Sequence, residues 1–410
     1  MAAAVAAEGP VILEDLPDLT DIQTMRDVLR SIGMEVEATN SKRVTLKTMA
    51  ADRIAADPDA VSRMRAGICV LGGLLGKRGR ARVPLPGGCR IGDRPIDLHL
   101  RGLEALGAVI RVEGDVIVAD ARRLRGARID MGGPSGSTVT GTCNVLTAAC
   151  FATGTTEILN AACEPEVVDV AKFLNACGAK IQGAGTSQIV INGAADWESQ
   201  PVTHRVIPDR IEAGTMFIAA AATRGQLTID NVPLDHLQTV CEHLRRTGAE
   251  ITIGSDFAAD DPRATVTVDG RSTDRAVDVI ATPYPGFPTD LQAQWTTLMC
   301  GLPGRARVSD RVFPERFQHI HELRNMGAYL MQTGGSVEIH GGRRLRGSVL
   351  NATDLRASAA LVIAALAAVG QSIISGLSHL DRGYESLESR LSAVGAEIQR
   401  IPAAALRKAG

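Results

Sequence analysis

One glycine-closed helix recurs six times along this chain, and it constrains the fold more than any other feature. The segments LRSIGMEVE, LEALGAVIRV, LNACGAKIQ, LRRTGAEITI, LRNMGAYLM and LSAVGAEIQ each run from a helical stretch into an alternating strand. Their glycines are Gly33, Gly107, Gly178, Gly248, Gly327 and Gly395. The period is about 70 residues, too long for the common solenoid repeats. Glycine accepts the left-handed backbone that closes a helix, so a helix end is predicted at each of the six.

A second marker keeps step with the first. A glycine opens a short strand at Gly9, Gly79, Gly154, Gly225, Gly304 and Gly370, as in GRARVPLPG and GTTEILNAA. Ala-rich, helix-forming runs precede these glycines, for example IEAGTMFIAAAATRG and LRASAALVIAALAAVG. The unit therefore reads as buried helix, strand, amphipathic helix, strand and further strand. Six such units predict an α/β (α+β) protein of two similar three-repeat domains, residues 1–208 and 209–410, with the Ala-rich helices inside. Only eight residues precede Gly9. The chain is thus expected to begin partway through the first buried helix, its opening segment either missing or remodelled.

Bulk composition narrows the function. With 45% hydrophobic and 22% charged residues, the chain has the make-up of a soluble globular protein. A net charge of −2 and an aromatic content of 3% argue against a nucleic-acid partner. No apolar run approaches the roughly 18 residues of a membrane span, and MAAAVAAEGP lacks the basic start of a signal peptide. The eight cysteines form no CxxC pair and are irregularly spaced. That predicts neither a disulfide framework nor a metal site, and fits a reducing cytoplasm.

Charged residues open several buried-looking helices: Arg65 in MRAGICVL, Asp209 and Arg210 in PDRIEAGT, Asp290 in FPTDLQAQW, and Asp354 with Arg356 in ATDLRASAA. Helix N-termini attract anions. Simple N-capping explains Asp354 equally well, whereas the prolines and glycine of YPGFPTD favour a fixed active-site turn at Asp290. The segment PLPGGCRIGDRPIDLHL is too rich in glycine and proline for a core strand and reads as a mobile loop. Its Cys89 lies beside Arg90 and near Arg94, and neighbouring cations make a thiol reactive. RVFPERFQHIHEL, with Arg316 and His319, and SHLDRGYESLESRL, with Arg382, are further charged turns.

Taken together, GGCRIGDRPIDLH, PDRIEAGT, FPTDLQAQW, RVFPERF, TDLRAS and HLDRGYE resemble, in order and over essentially the whole chain, the motifs of the UDP-N-acetylglucosamine enolpyruvyl transferase family. The repeat is similar to that family's inside-out α/β barrel, whose two domains enclose the active site in a cleft. The shikimate-pathway enolpyruvyl transferases share the architecture but lack the lid cysteine motif and FPTD. The resemblance implies transfer of the enolpyruvyl group of phosphoenolpyruvate to the 3-hydroxyl of UDP-N-acetylglucosamine through a tetrahedral ketal. This is the first committed step of peptidoglycan synthesis, and it needs no metal or other cofactor.

By the same resemblance, Cys89 is the lid general acid at the phosphoenolpyruvate methylene carbon. Asp290 takes the sugar hydroxyl proton. Arg65, Arg94 and Arg382 hold phosphoenolpyruvate or the diphosphate. Pro95, Ile96, Asp97, Leu98 and Val312 line the nucleotide and sugar pocket, and Ser137, Thr138, Glu164, Asp209, Arg316, Asp354 and Arg356 complete the expected substrate contacts. Forked guanidinium groups suit a trianionic substrate.

The chain departs from the family pattern in three places. A family lysine–asparagine pair would precede the first Ala-rich helix, before this chain begins. The N-terminal strand that precedes that pair in the family, and belongs to the second domain, is expected to be missing as well. GGPSGSTVTGT replaces a shorter loop in which many members carry a lysine, and no lysine occurs between Lys77 and Lys172. A paralogue with another nucleotide-sugar acceptor, or a binding protein without turnover, are the alternatives; retention of Cys89 and Asp290 argues against the second.

Overall fold

A computed structural model describes residues 1–40, 42–87, 95–254 and 263–402. The chain forms two compact units. One comprises Met1–Pro208 with Ile280–Thr289 and Asp310–Arg316; the other comprises Asp209–Val279, Asp290–Ser309 and Phe317–Gly410.

All six repeat glycines, from Gly33 to Gly395, have positive φ. At Gly107, Gly178, Gly248, Gly327 and Gly395 the glycine N–H bonds the carbonyl three residues back. The following alanine N–H bonds the carbonyl five residues before it, as in Ala108 to Leu103 and Ala328 to Leu323. This paired closure satisfies the last helical carbonyls and turns the chain into the next strand. The strand-opening marker is less regular. Gly79, Gly154, Gly304 and Gly370 are left-handed, but in the fourth repeat that conformation falls on Arg224, one residue before Gly225.

In the first unit the helix Val70–Arg78 packs on both the helical turn Ala2–Ala6 and the helix Val139–Ala149. In the second, Arg210–Ala222, Gln292–Gly301 and Leu355–Ala367 all pack on one another. These six segments are the buried helical runs that precede the strand-opening glycines, though Val70–Arg78 itself contains no alanine. Small residues allow their close approach. The Gly72 N–H donates to Asn144 Oδ1 at 2.8 Å, and a Cβ on Gly72 would lie 2.1 Å from the Asn144 carbonyl oxygen. Their buried hydroxyls bond backward along the same helix, as Thr142 to Thr138, Thr215 to Ile211, Thr297 to Ala293 and Ser358 to Asp354. Such side chains enter an apolar interior without leaving a donor unmade.

Sheets and amphipathic helices cover these inner helices within each unit. Strands Arg80–Pro84, Val116–Asp120 and Val109–Glu113 form one antiparallel sheet of the first unit. Strands Gln226–Pro233, Arg263–Asp269 and Glu250–Ile253 form one of the second. Along Arg80–Pro84 and Arg263–Asp269 burial alternates, so one face meets the helices and the other meets solvent. The parallel pair Val349–Asn351 and Ile373–Ser375 makes a sheet of only two strands. No helix among the described residues is long and apolar enough to cross a membrane.

Candidate active site

The structure places the candidate residues in three local clusters. Cys89 and Arg94 lie outside the described residues.

The first cluster is the nucleotide-side segment. Pro95 and Ile96 lead into the helix Asp97–Ala105. Leu98 lies against the short hairpin formed by Gly132–Gly133 and Gly136–Ser137, part of the GGPSGSTVTGT loop. Arg101 clamps that hairpin through the Asp130 and Gly132 carbonyls, at 2.7 and 3.2 Å. The helix itself is anchored by buried His99. One ring nitrogen meets Thr140 Oγ1 at 3.1 Å and the other meets Asn144 Nδ2 at 2.9 Å. Asn144 also donates to the Ile68 carbonyl, close in the chain to Arg65, which opens the turn Arg65–Cys69. Thr138 caps the helix Val139–Ala149 through the Gly141 N–H. Neither His99 nor Asn144 stands out in the sequence, because 45 residues separate them.

The second cluster links FPTD with RVFPERF. Buried Asp310 accepts from Thr289 Oγ1 at 2.6 Å and from the Val312 and Phe313 N–H groups at 2.9 and 2.7 Å. Burial pushes its carboxyl pKa up, against those hydrogen bonds and Arg316, which pull it down. Buried Arg316 donates to Thr289 Oγ1 at 3.2 Å, and its guanidinium lies over the Phe313 ring. Val312 is therefore held in a turn fixed from behind by a carboxylate. Glu164, at the start of the helix Pro165–Ala176, is buried and accepts from the Tyr284 N–H at 3.3 Å. Sequence reasoning missed Asp310; the SD before RVFPERF was its only trace.

The third cluster surrounds Asp290, in the turn Thr289–Leu291. Arg356 Nε donates to Asp290 Oδ1 at 3.1 Å, and Arg356 Nη1 donates to the Tyr384 hydroxyl at 3.2 Å. Burial opposes the Arg356 charge, but the surrounding Tyr384, Asp290 and Asp209 outweigh it and move its pKa up. Asp354 caps the helix Leu355–Ala367 by accepting from the Arg356 and Ala357 N–H groups. Asp209 caps Arg210–Ala222 in the same way, through Ile211 and Glu212. Asp354 thus fulfils the capping reading, and the structure shows Asp209 to be a cap as well. Arg382 sits in the turn Leu380–Arg382, which packs on Leu355–Ala367. Tyr384, two residues on, is fully buried and went unremarked in the sequence.

The seven described cysteines are free thiols. Burial pushes Cys69, Cys177 and Cys241 up to about 11 and Cys150 and Cys300 up to about 12, and also raises Cys143 and Cys163.

A family model for EPSP synthase (3-phosphoshikimate 1-carboxyvinyltransferase) matches residues 1–391. The enolpyruvyl transferase NikO from Streptomyces tendae superposes with a TM-score of 0.85 at 26% identity, over 97% of this chain and 92% of that one. The architecture is that of the enolpyruvyl transferases. The UDP-N-acetylglucosamine 1-carboxyvinyltransferase of Sorangium cellulosum is 45% identical over 404 residues, covering 98% of this chain and 92% of the relative. That of Geobacter metallireducens is 45% identical over 399 residues, covering 97% and 92%. The chain belongs to the EPSP synthase family and, within it, to the UDP-N-acetylglucosamine 1-carboxyvinyltransferases.

Proposed function

We propose that this protein transfers the enolpyruvyl group of phosphoenolpyruvate to the 3-hydroxyl of UDP-N-acetylglucosamine, releasing inorganic phosphate. The observation that carries this reading is 45% identity over 98% of the chain to a transferase of that name. In the addition step the sugar oxygen bonds to C2 of phosphoenolpyruvate as its proton leaves to Asp290, and Cys89 delivers a proton to C3. In the elimination step a C3 proton is removed and the C2–O bond to phosphate breaks. A neighbouring guanidinium favours the charged form of a carboxylate, the form that can take a proton. Arg356 stands in that relation to Asp290.

Arg65, Arg94 and Arg382 supply the positive charge that a trianionic substrate needs. Ser137, Leu98 and the turn at Val312 meet the nucleotide sugar. The free thiols accord with a cytoplasmic site for this reaction. The hairpin at Gly132–Ser137 carries no lysine, which favours one further reading, a different nucleotide-sugar acceptor. Phosphate release measured with phosphoenolpyruvate and a panel of UDP- and other nucleotide sugars tests both. Turnover confined to UDP-N-acetylglucosamine supports the first; turnover confined to another acceptor replaces it with the second.

A further inference from the structure

We infer that Tyr384 is a positioning residue for the reaction, acting on Asp290 through Arg356; the inference rests on the role just proposed for Asp290. Four side chains from separate parts of the second unit meet at the Tyr384 hydroxyl or one bond from it. Arg356 Nη1 lies at 3.2 Å, Gln294 Nε2 at 3.2 Å and Thr215 Oγ1 at 2.9 Å. Gln294 Nε2 also reaches Thr215 Oγ1 at 3.1 Å. Asp290 lies beyond Arg356, at 3.1 Å from its Nε.

Hydrogen accounting fixes the direction of every bond. A threonine hydroxyl has one hydrogen, and that of Thr215 goes to the Ile211 carbonyl at 2.8 Å. Thr215 Oγ1 must therefore accept from Tyr384, and Tyr384 must donate to it. The Gln294 amide, at 3.1 and 3.2 Å from two oxygens themselves 2.9 Å apart, shares one hydrogen between Thr215 and Tyr384. The tyrosine oxygen is then left with one lone pair for Gln294 and one for Arg356, which is its full capacity. The carbonyl of one inner helix thus sets the direction of the bond that pins Arg356. Burial raises the Tyr384 pKa and keeps the hydroxyl neutral, as this scheme requires.

The consequence is geometric. Arg356 is a long side chain held at two points of its guanidinium, Nε by Asp290 and Nη1 by Tyr384. Its exposure is only 12%, against 36% for Asp290. Without the tyrosine hydroxyl, one end of the fork is released and the plane that orients the Asp290 carboxylate is free to turn. Displacements of about 1 Å in such a support cost up to about a hundredfold in rate.

Tyr384→Phe removes the hydroxyl and keeps the ring in its cluster with Ala359, Leu380, Leu387 and Leu391. The expected result is a fall in kcat of about ten- to a hundredfold with KM for both substrates within about twofold. Thr215→Val, which breaks the far side without touching Arg356, lowers kcat in the same direction by a smaller factor. In an Arg356→Lys background the tyrosine change adds less than about twofold, because the group it acts through has gone. A mere loss of folded protein would instead multiply with the Arg356→Lys effect. Wild-type kcat in folded Tyr384→Phe, or a full multiplicative effect in the lysine background, overturns the inference. If Tyr384→Phe does not fold, Thr215→Val decides by the same criteria. A wild-type protein that releases no phosphate removes the functional reading and this inference with it; an active wild type with an unaffected Tyr384→Phe removes this inference alone.

Discussion

Arg356 Nε donates to Asp290 Oδ1 at 3.1 Å, joining two helix starts 66 residues apart in the chain. Removing the carboxylate leaves a largely covered guanidinium without this partner, whereas Asp290→Asn keeps an oxygen for it. Both Asp290→Asn and Asp290→Ala should lower phosphate release by about a hundred- to ten-thousandfold, the range for a lost general base. Only Asp290→Ala should lower the melting temperature clearly. Because Asp290 is 36% exposed, that loss should stay below the roughly 3–5 kcal/mol of a fully buried pair. Substantial turnover by Asp290→Asn would remove the residue from the base role.

Thiol chemistry should single out Cys89. Burial raises the thiols of all seven described cysteines; Cys300 is buried in an inner helix and Cys143 is half-buried in another. Cys89 is followed by Arg90 in a glycine-rich segment, and adjacent cations favour the thiolate. Brief treatment of the folded protein with an epoxide or another thiol-directed phosphoenolpyruvate mimic, followed by peptide mass spectrometry, should find the Cys89 peptide modified first. Earlier modification of Cys163 or Cys143 would contradict the assignment.

The helix crossing at Gly72 should tolerate no side chain. A Cβ there would meet the Asn144 carbonyl oxygen at 2.1 Å, and Asn144 also ties down His99 and the Ile68 carbonyl. Gly72→Ala must push two inner helices apart, and overpacking of this kind costs about 1–3 kcal/mol. Gly114, with nothing within 4 Å of its Cβ position but a φ of 61°, is the control for backbone strain alone. Thermal melts should show the larger loss at Gly72; equal losses would mean the crossing is more pliable than its geometry implies.

The parts of this fold that could be read from sequence are those set by local backbone chemistry. The repeat glycines were legible because only glycine takes φ near 100° cheaply, and each occurs at the end of a leucine-spaced helix. Gly225 does open the strand Gln226–Pro233, as its sequence indicates, while the left-handed turn itself falls one residue earlier, on Arg224. In the clusters, the charged members were legible as types: Asp354 as a cap, and Asp209, Arg356 and Asp290 as charges at helix starts. Their partners were not. Tyr384, Thr215 and Gln294 look like ordinary core-helix or turn residues, and only tertiary packing brings Thr215 and Tyr384 together across 169 positions. His99 and Asn144 escaped for the same reason.

Asp310 gives a pH-dependent test of the turn that carries Val312. Its carboxyl is raised from 3.8, first by burial, while bonds from Phe313, Thr289 and Val312 work in the opposite direction. A carboxyl whose pKa is higher folded than unfolded binds its proton more tightly in the folded state. Its contribution to stability is therefore fully present below the unfolded value and lost as pH rises through the folded one. Asp310→Asn cannot ionise, yet its amide oxygen can still accept from the Val312 and Phe313 N–H groups. Other titrating groups are shared by the two proteins and largely cancel in the difference between their melting temperatures. That difference should move in favour of the asparagine variant as pH rises from below 3.8, then level off once Asp310 is ionised in the folded state. Calorimetric melts of both proteins across this range make the comparison. A difference that moves toward the wild type with rising pH would mean that the hydrogen bonds, not burial, govern the carboxyl, and that the turn at Val312 is held by charge.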